Sequence, residues 1–204
     1  MSRYSDRLAR LSPIFLLILF TISCKEPPPI TPKPRAYPRV IYPEKSLTSF
    51  DESRCPFTTK IPSYFKSQKD SLQRGTEKKF DCWYDLYCAE LNGYLHMSYV
   101  PITSRKHFDG LVSDAFEMAD KHNIKASYRQ ESAISNPDGQ IHGLIFEIDG
   151  PVATPLQFFV TDSTQHFLRA SLYFKSAVNR DSIAPVYAYL KEDVYGMIES
   201  MEWR

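Results

Sequence analysis

Residues 141–174 read IHGLIFEIDG PVATPLQFFV TDSTQHFLRA SLYF. Three runs rich in branched and aromatic residues, 141–149, 155–161 and 166–174, are separated by Asp149-Gly150-Pro151 and by Asp162-Ser163-Thr164-Gln165. Asp, Gly, Pro and Ser in such short connections suit turns, so the three runs are predicted to be antiparallel neighbours in one sheet. Asn136-Pro137-Asp138-Gly139 turns the chain ahead of them, and residues 124–134 supply a further strand. Upstream, residues 91–101 read as a strand. Asn92-Gly93 is a hairpin cue, but the fold-back of the segment 82–101 is placed nearer Cys88.

Two helices complete the pattern. From residue 104 to 122, Phe108, Leu111, Val112, Ala115, Phe116 and Ala119 recur at spacings of three and four, and Asn123 follows the last turn. The second is expected to begin after Asp181 and Ser182, with Pro185 in its first turn, where a missing N–H costs little. It carries Ile183, Val186, Leu190, Val194, Met197, Ile198 and Met201 along one stripe and is expected to end near Trp203. The expected fold class is α+β, an antiparallel sheet with helices packed on both faces.

The N-terminus has a different logic. Arg3, Arg7 and Arg10 precede an apolar run from Leu11 to Ile22, the order of a secretory signal peptide. A spanning helix needs about 20 apolar residues, more than this run holds, and Ser12 and Pro13 interrupt it. Thr21-Ile22-Ser23-Cys24 follows, similar to a lipobox with threonine where leucine is usual. Residues 1–23 are therefore expected to be removed and Cys24 to be lipidated, with several acyl tails at about 0.8 kcal/mol per buried methylene making a lasting anchor. That covalent lipid is the only cofactor expected. Residues 25–38 contain six prolines and no glycine, a polyproline II spacer reaching about 40 Å at about 3.1 Å per residue. Residues 24–45 thus form the lipidated tether and 46–204 a single globular domain, with Val40-Ile41-Tyr42-Pro43-Glu44 docking on it as an edge strand.

Removing residues 1–23 takes Lys plus Arg from 25 to 22 and Asp plus Glu from 24 to 23, so the net charge moves from +1 to −1. Such a balance gives no footprint for a nucleic-acid partner. Three cysteines remain, Cys55, Cys82 and Cys88, and in an exported chain they are first read as disulfide candidates. On one strand Cys82 and Cys88 would stand roughly 20 Å apart, too far to bridge. Cys55 with Cys82 is the chosen pair, which leaves Cys88 a free thiol. No C-x-x-C, H-x-H or H-E-x-x-H is present, and no metal site is expected.

Catalytic signals are sparse. His96, His107, His122, His142 and His166 are scattered, and no histidine accompanies a G-x-S-x-G nucleophile. Asp162, Ser163, Thr164 and His166 bring acid, hydroxyl and imidazole together, but sequence neighbours diverge on a turn, so this cluster is read as an interaction loop. His96 and Tyr94 share a parity on one strand and, with Tyr99, would line a pocket if the chain bound a small ligand.

Lys33-Pro34-Arg35-Ala36-Tyr37, Tyr42-Pro43-Glu44, Cys55-Pro56-Phe57, Cys82-Trp83-Tyr84, the block 160–174, Asp181-Ser182-Ile183 and Ile198-Glu199-Ser200-Met201-Glu202-Trp203 together resemble the gliding-motility lipoprotein GldD family of the Bacteroidota. Cys88 departs from that family's pattern. The order of strands and helices is also similar to PsbP and Mog1-type domains, an α/β/α sandwich. The family resemblance implies a non-enzymatic part of the envelope machinery for gliding and the type IX secretion system linked to it. Its partners would be other gliding-motility lipoproteins and secretion motor components, with the membrane contacted through the lipid. The alternative is a small-ligand-binding periplasmic lipoprotein. Beside Cys24 stands Lys25 rather than an inner-membrane-retaining aspartate, so the outer membrane is expected, with the domain facing the periplasm.

Overall fold

The computed structural model describes residues 39–69, 81–121, 126–136, 140–175 and 180–204, all within one compact unit spanning 37–204. The signal peptide, Cys24 and the proline-rich residues up to 38 lie outside the described residues, as do Pro137-Asp138-Gly139. The elements are β1 (Leu47–Phe50), β2 (Phe57–Pro62), β3 (Lys66–Lys69), β4 (Trp83–Cys88), β5 (Gly93–Pro101), α1 (Arg105–Asp120), β6 (Tyr128–Ser135), β7 (His142–Asp149), β8 (Leu156–Thr161), β9 (His166–Phe174), α2 (Arg180–Glu199) and β10 (Glu202–Trp203). Seven strands form one antiparallel sheet in the order β3-β4-β5-β9-β8-β7-β6, and β1-β2-β10 form a second, smaller one.

The hairpins of β7, β8 and β9 follow from the turn residues that separate them. Thr161 faces Phe167 across the 162–166 turn, and Glu147 faces Leu156 across the Gly150 turn. The β4–β5 turn directly follows Cys88, where it was expected, and Asn92 closes it with a positive φ of 49°. β8 is buried at all six positions because a helix covers each face of the sheet. Successive side chains on a strand point to opposite faces, so Leu156, Phe158 and Val160 join one core while Phe159 joins the other.

The larger core lies between the sheet, α2 and the small sheet. Leu190, Val194 and Met197 of α2 meet Leu86, Leu95 and Leu172 of the sheet, and Phe57 and Ile61 of β2 extend the cluster. Across the sheet, α1 brings Ala115 and Ala119 against Phe146, Phe159 and Phe167. Alanines at the contact let the helix approach the ring layer closely. Ser104 caps α1, its Oγ accepting from the His107 N–H at 3.1 Å. Among the described residues no helix is long and apolar enough to cross a membrane.

Three expectations are corrected. The second helix ends at Glu199 rather than near Trp203; the stripe Met197, Ile198, Met201 continues helical spacing, but Met201 sinks into the core and Glu202–Trp203 pair with β2. The helix also begins at Arg180, so Pro185 is its sixth residue rather than part of a first turn. Residues 40–44 are not an edge strand. Val40 packs on the core and Tyr42 lies against Tyr189 with ring centroids 4.8 Å apart, while Pro43 has no N–H for a ladder and its carbonyl accepts from Tyr189 Oη at 2.5 Å.

Candidate functional site

The interaction loop predicted at Asp162, Ser163, Thr164 and His166 is a self-satisfied turn. Asp162 Oδ1 accepts the backbone N–H groups of Thr164, Gln165 and His166 at 3.0, 2.9 and 2.8 Å, and Oδ2 accepts the Thr164 hydroxyl at 2.8 Å. Burial alone would push the Asp162 carboxyl up; these hydrogen bonds outweigh it and hold the pKa at about 2. Ser163 sits at φ 65° and its Oγ lies 2.6 Å from His142 Nε2. A serine beside an imidazole suggests a nucleophile, yet the surrounding backbone donors are taken. The Ser163 N–H goes to Thr161 Oγ1 and the next three to Asp162, so this turn offers no oxyanion donors of its own.

His166 is separated from that pair. It stacks on Trp203 with centroids 4.9 Å apart, and its Nδ1 lies 2.9 Å from the Tyr99 hydroxyl. The Trp203 indole N–H donates to the Gln140 carbonyl at 3.1 Å, and Phe57 meets the same indole edge-on. Asp162, Gln165, His166 and Trp203 line a shallow cleft of about 400 Å³. The turn therefore presents a rigid surface next to β10.

Asp162→Ala is expected to destabilise the domain by about 1–2 kcal/mol, because several donors lose their acceptor at a partly exposed site. A carboxyl depressed from 3.8 to about 2 contributes stability that is present above pH 4 and is lost as pH falls toward 2. Acid titration of the unfolding midpoint checks this, with Asp162→Ala expected to flatten the fall across that window.

The cysteines belong to the large core. Cys55 and Cys82 are joined by a disulfide, with Cα atoms 5.0 Å apart and both side chains buried. Cys88 is a buried free thiol on β4, and burial pushes its pKa up to about 11, so it stays protonated and inert. Among the described residues no cluster of His, Cys, Asp and Glu could hold a metal ion.

A second site emerges on the face of the sheet that α1 covers only in part. α1 packs over β8 and β9, which leaves the β4–β5 end of that face open. Between them runs a groove of about 830 Å³ whose walls include Trp83, Tyr94, His96, Arg169, Tyr173 and Met118. Tyr94 faces Tyr173 across the β5–β9 ladder, and their rings lie 5.9 Å apart. The Tyr94 and His96 rings are nearly parallel at 6.0 Å, and Tyr87 stacks on Tyr94 at 4.4 Å. His96 Nδ1 is 2.5 Å from Asp85 Oδ1 on the paired strand β4.

Of the pocket residues expected from sequence, Tyr94 and His96 line this groove and Tyr99 does not. Tyr99 has the other parity on β5 and packs against the α2-side core, with its hydroxyl at His166. Sequence reading missed Arg169, Trp83 and Tyr173. Each has the right parity on its own strand, but only the register Ser98↔Arg169 and Trp83↔Ser98 brings them together.

The family model described as Gliding motility lipoprotein GldD matches residues 28–203. No curated protein matches the chain. Among solved structures, the chain is similar to the solution structure of cyanobacterial PsbP (CyanoP) from Synechocystis, with a TM-score of 0.45 and 12% identity over 79% of this chain and 95% of that one. It is also similar to the Saccharomyces cerevisiae Ran-binding protein Mog1p, with a TM-score of 0.45 and 9% identity over 78% of this chain and 96% of that one.

Proposed function

Since the chain belongs to the gliding motility lipoprotein GldD family, we propose that it is a non-enzymatic component of the gliding machinery and the associated type IX secretion system, anchored through a lipid on Cys24. The observation that carries this reading is the extent of the match. It starts at residue 28, inside the proline-rich run, and continues to residue 203, so the proline-rich residues from 28 on are matched together with the rest of the chain. The tether holds the domain at a set distance from the outer membrane, on its periplasmic side, where it positions or stabilises other gliding lipoproteins and motor components.

The chemistry of the described domain supports a positioning role. Among the described residues, the contact between a serine hydroxyl and an imidazole, Ser163 with His142, stands in a turn whose amides are already bonded. The double substitution Ser163→Ala/His142→Gln is expected to leave gliding and secretion at wild-type levels. Loss of either in cells that still accumulate the folded protein would overturn the non-enzymatic reading.

A further inference from the structure

We propose that the groove between α1 and strands β4, β5 and β9 binds a small ligand that presents a carboxylate to Arg169 and a ring face to the Tyr94–His96–Tyr173 wall. Arg169 projects from the middle of β9 and is largely enclosed. A guanidinium has five N–H donors. Among the described residues one acceptor is bonded to it, the Gln157 Oε1 at 2.5 Å from Nη2. No carboxylate pairs with it among the described ion pairs. An enclosed cation without a counter-charge is costly, and burial lowers the Arg169 pKa accordingly. The fork geometry of the remaining donors matches a planar carboxylate bidentately.

The other walls say what carries that carboxylate. Tyr94, His96 and Tyr173 form a contiguous cluster of rings with centroids 5.8 to 6.0 Å apart, Tyr94 and His96 nearly parallel and Tyr173 tilted by 46° and 37° to them. Such a surface favours a flat apolar face stacked on it. Lys175 lines the same groove and adds a second positive charge. Of the two carboxylates present, Asp85 is engaged by His96, and Asp114 belongs to α1. The volume of about 830 Å³ suits a ligand of one or two rings. Two sources share this chemistry, an acidic sugar and an aromatic acid. The inference stands whether or not the role in gliding holds.

Calorimetric titration of the full-length protein in detergent micelles with galacturonate, 4-hydroxybenzoate, galactose and acetate tests it. At least one ring acid is expected to bind about tenfold or more tightly than acetate, with galactose weaker than galacturonate. Preference for galacturonate identifies the sugar source, and preference for 4-hydroxybenzoate the aromatic one. Arg169→Gln is expected to weaken that binding about tenfold or more with the thermal midpoint kept. Should Arg169→Gln lower the midpoint, exposed Lys175→Gln supplies the second arm, with a smaller loss of affinity expected. Absence of saturable binding by both ring acids, acetate binding as tightly as either, or undiminished affinity in both variants would overturn the proposal.

Discussion

Replacing Cys55 and Cys82 together by alanine is expected to lower the unfolding free energy by about 3–4 kcal/mol. The bridge closes a loop with a sequence separation of 27, and in the chain-entropy account a loop of that size removes about 3.5 kcal/mol of freedom from the unfolded chain. Both cysteines are almost fully buried, so the substitution adds a small packing loss. The bridge also ties the segment before β2 to the start of β4, linking the small sheet to the large one. Denaturant unfolding of wild type, oxidised and reduced, alongside the double variant measures the effect. An unchanged midpoint on reduction would contradict it. For an exported protein this sets a requirement on the compartment, because the domain reaches full stability only where the bridge can form.

Leu190→Ala carries an expected cost of about 2–5 kcal/mol. Leu190 is fully buried at the centre of α2 and joins the helix to the large core. Gly93 explains why the site is tight. A Cβ at Gly93 would meet Leu190 Cδ1 at 2.7 Å, so an alanine there would force the leucine side chain to shift within a fully buried site. Gly93→Ala alone is therefore expected to destabilise, and in the Leu190→Ala background its cost is expected to shrink, since the clashing methyl is gone. A double-mutant cycle in denaturant reads this coupling. Additive costs would show that α2 is seated by something other than this contact.

How much of this was written in the sequence differs from element to element. β7, β8 and β9 are legible because turn residues punctuate their apolar runs, and those turns force antiparallel neighbours. α1 and the apolar stripe of α2 are legible from spacing alone. The small sheet is not. Its strand β1 is largely exposed, and β3 at the edge of the large sheet is the wholly polar Lys66-Ser67-Gln68-Lys69, so neither carries an apolar alternation to read. β10 is hidden for another reason. Met201 prolongs the helical stripe, and only pairing of Glu202–Trp203 with β2 pulls the chain out of the helix.

The groove shows the same limit on the functional side. Parity assigns Tyr94 and His96 to one face and Tyr99 to the other, and that much was available from numbering. Register was not. Arg169 enters the picture because β9 pairs with β5 so that Ser98 faces it, and because α1 stops short of the β4–β5 end. Both are properties of the assembled sheet rather than of any one segment.

If the lipid on Cys24 holds a positioning domain at the membrane, removing the lipidation site separates the domain from its place of action. In cells making Cys24→Ser at wild-type levels, fractionation with a gliding assay is the direct measurement. The variant is expected to leave the membrane fraction while keeping its fold, and gliding is expected to be lost. A Cys24→Ser protein that stays with the membrane, or cells that glide normally with the protein released, would contradict it.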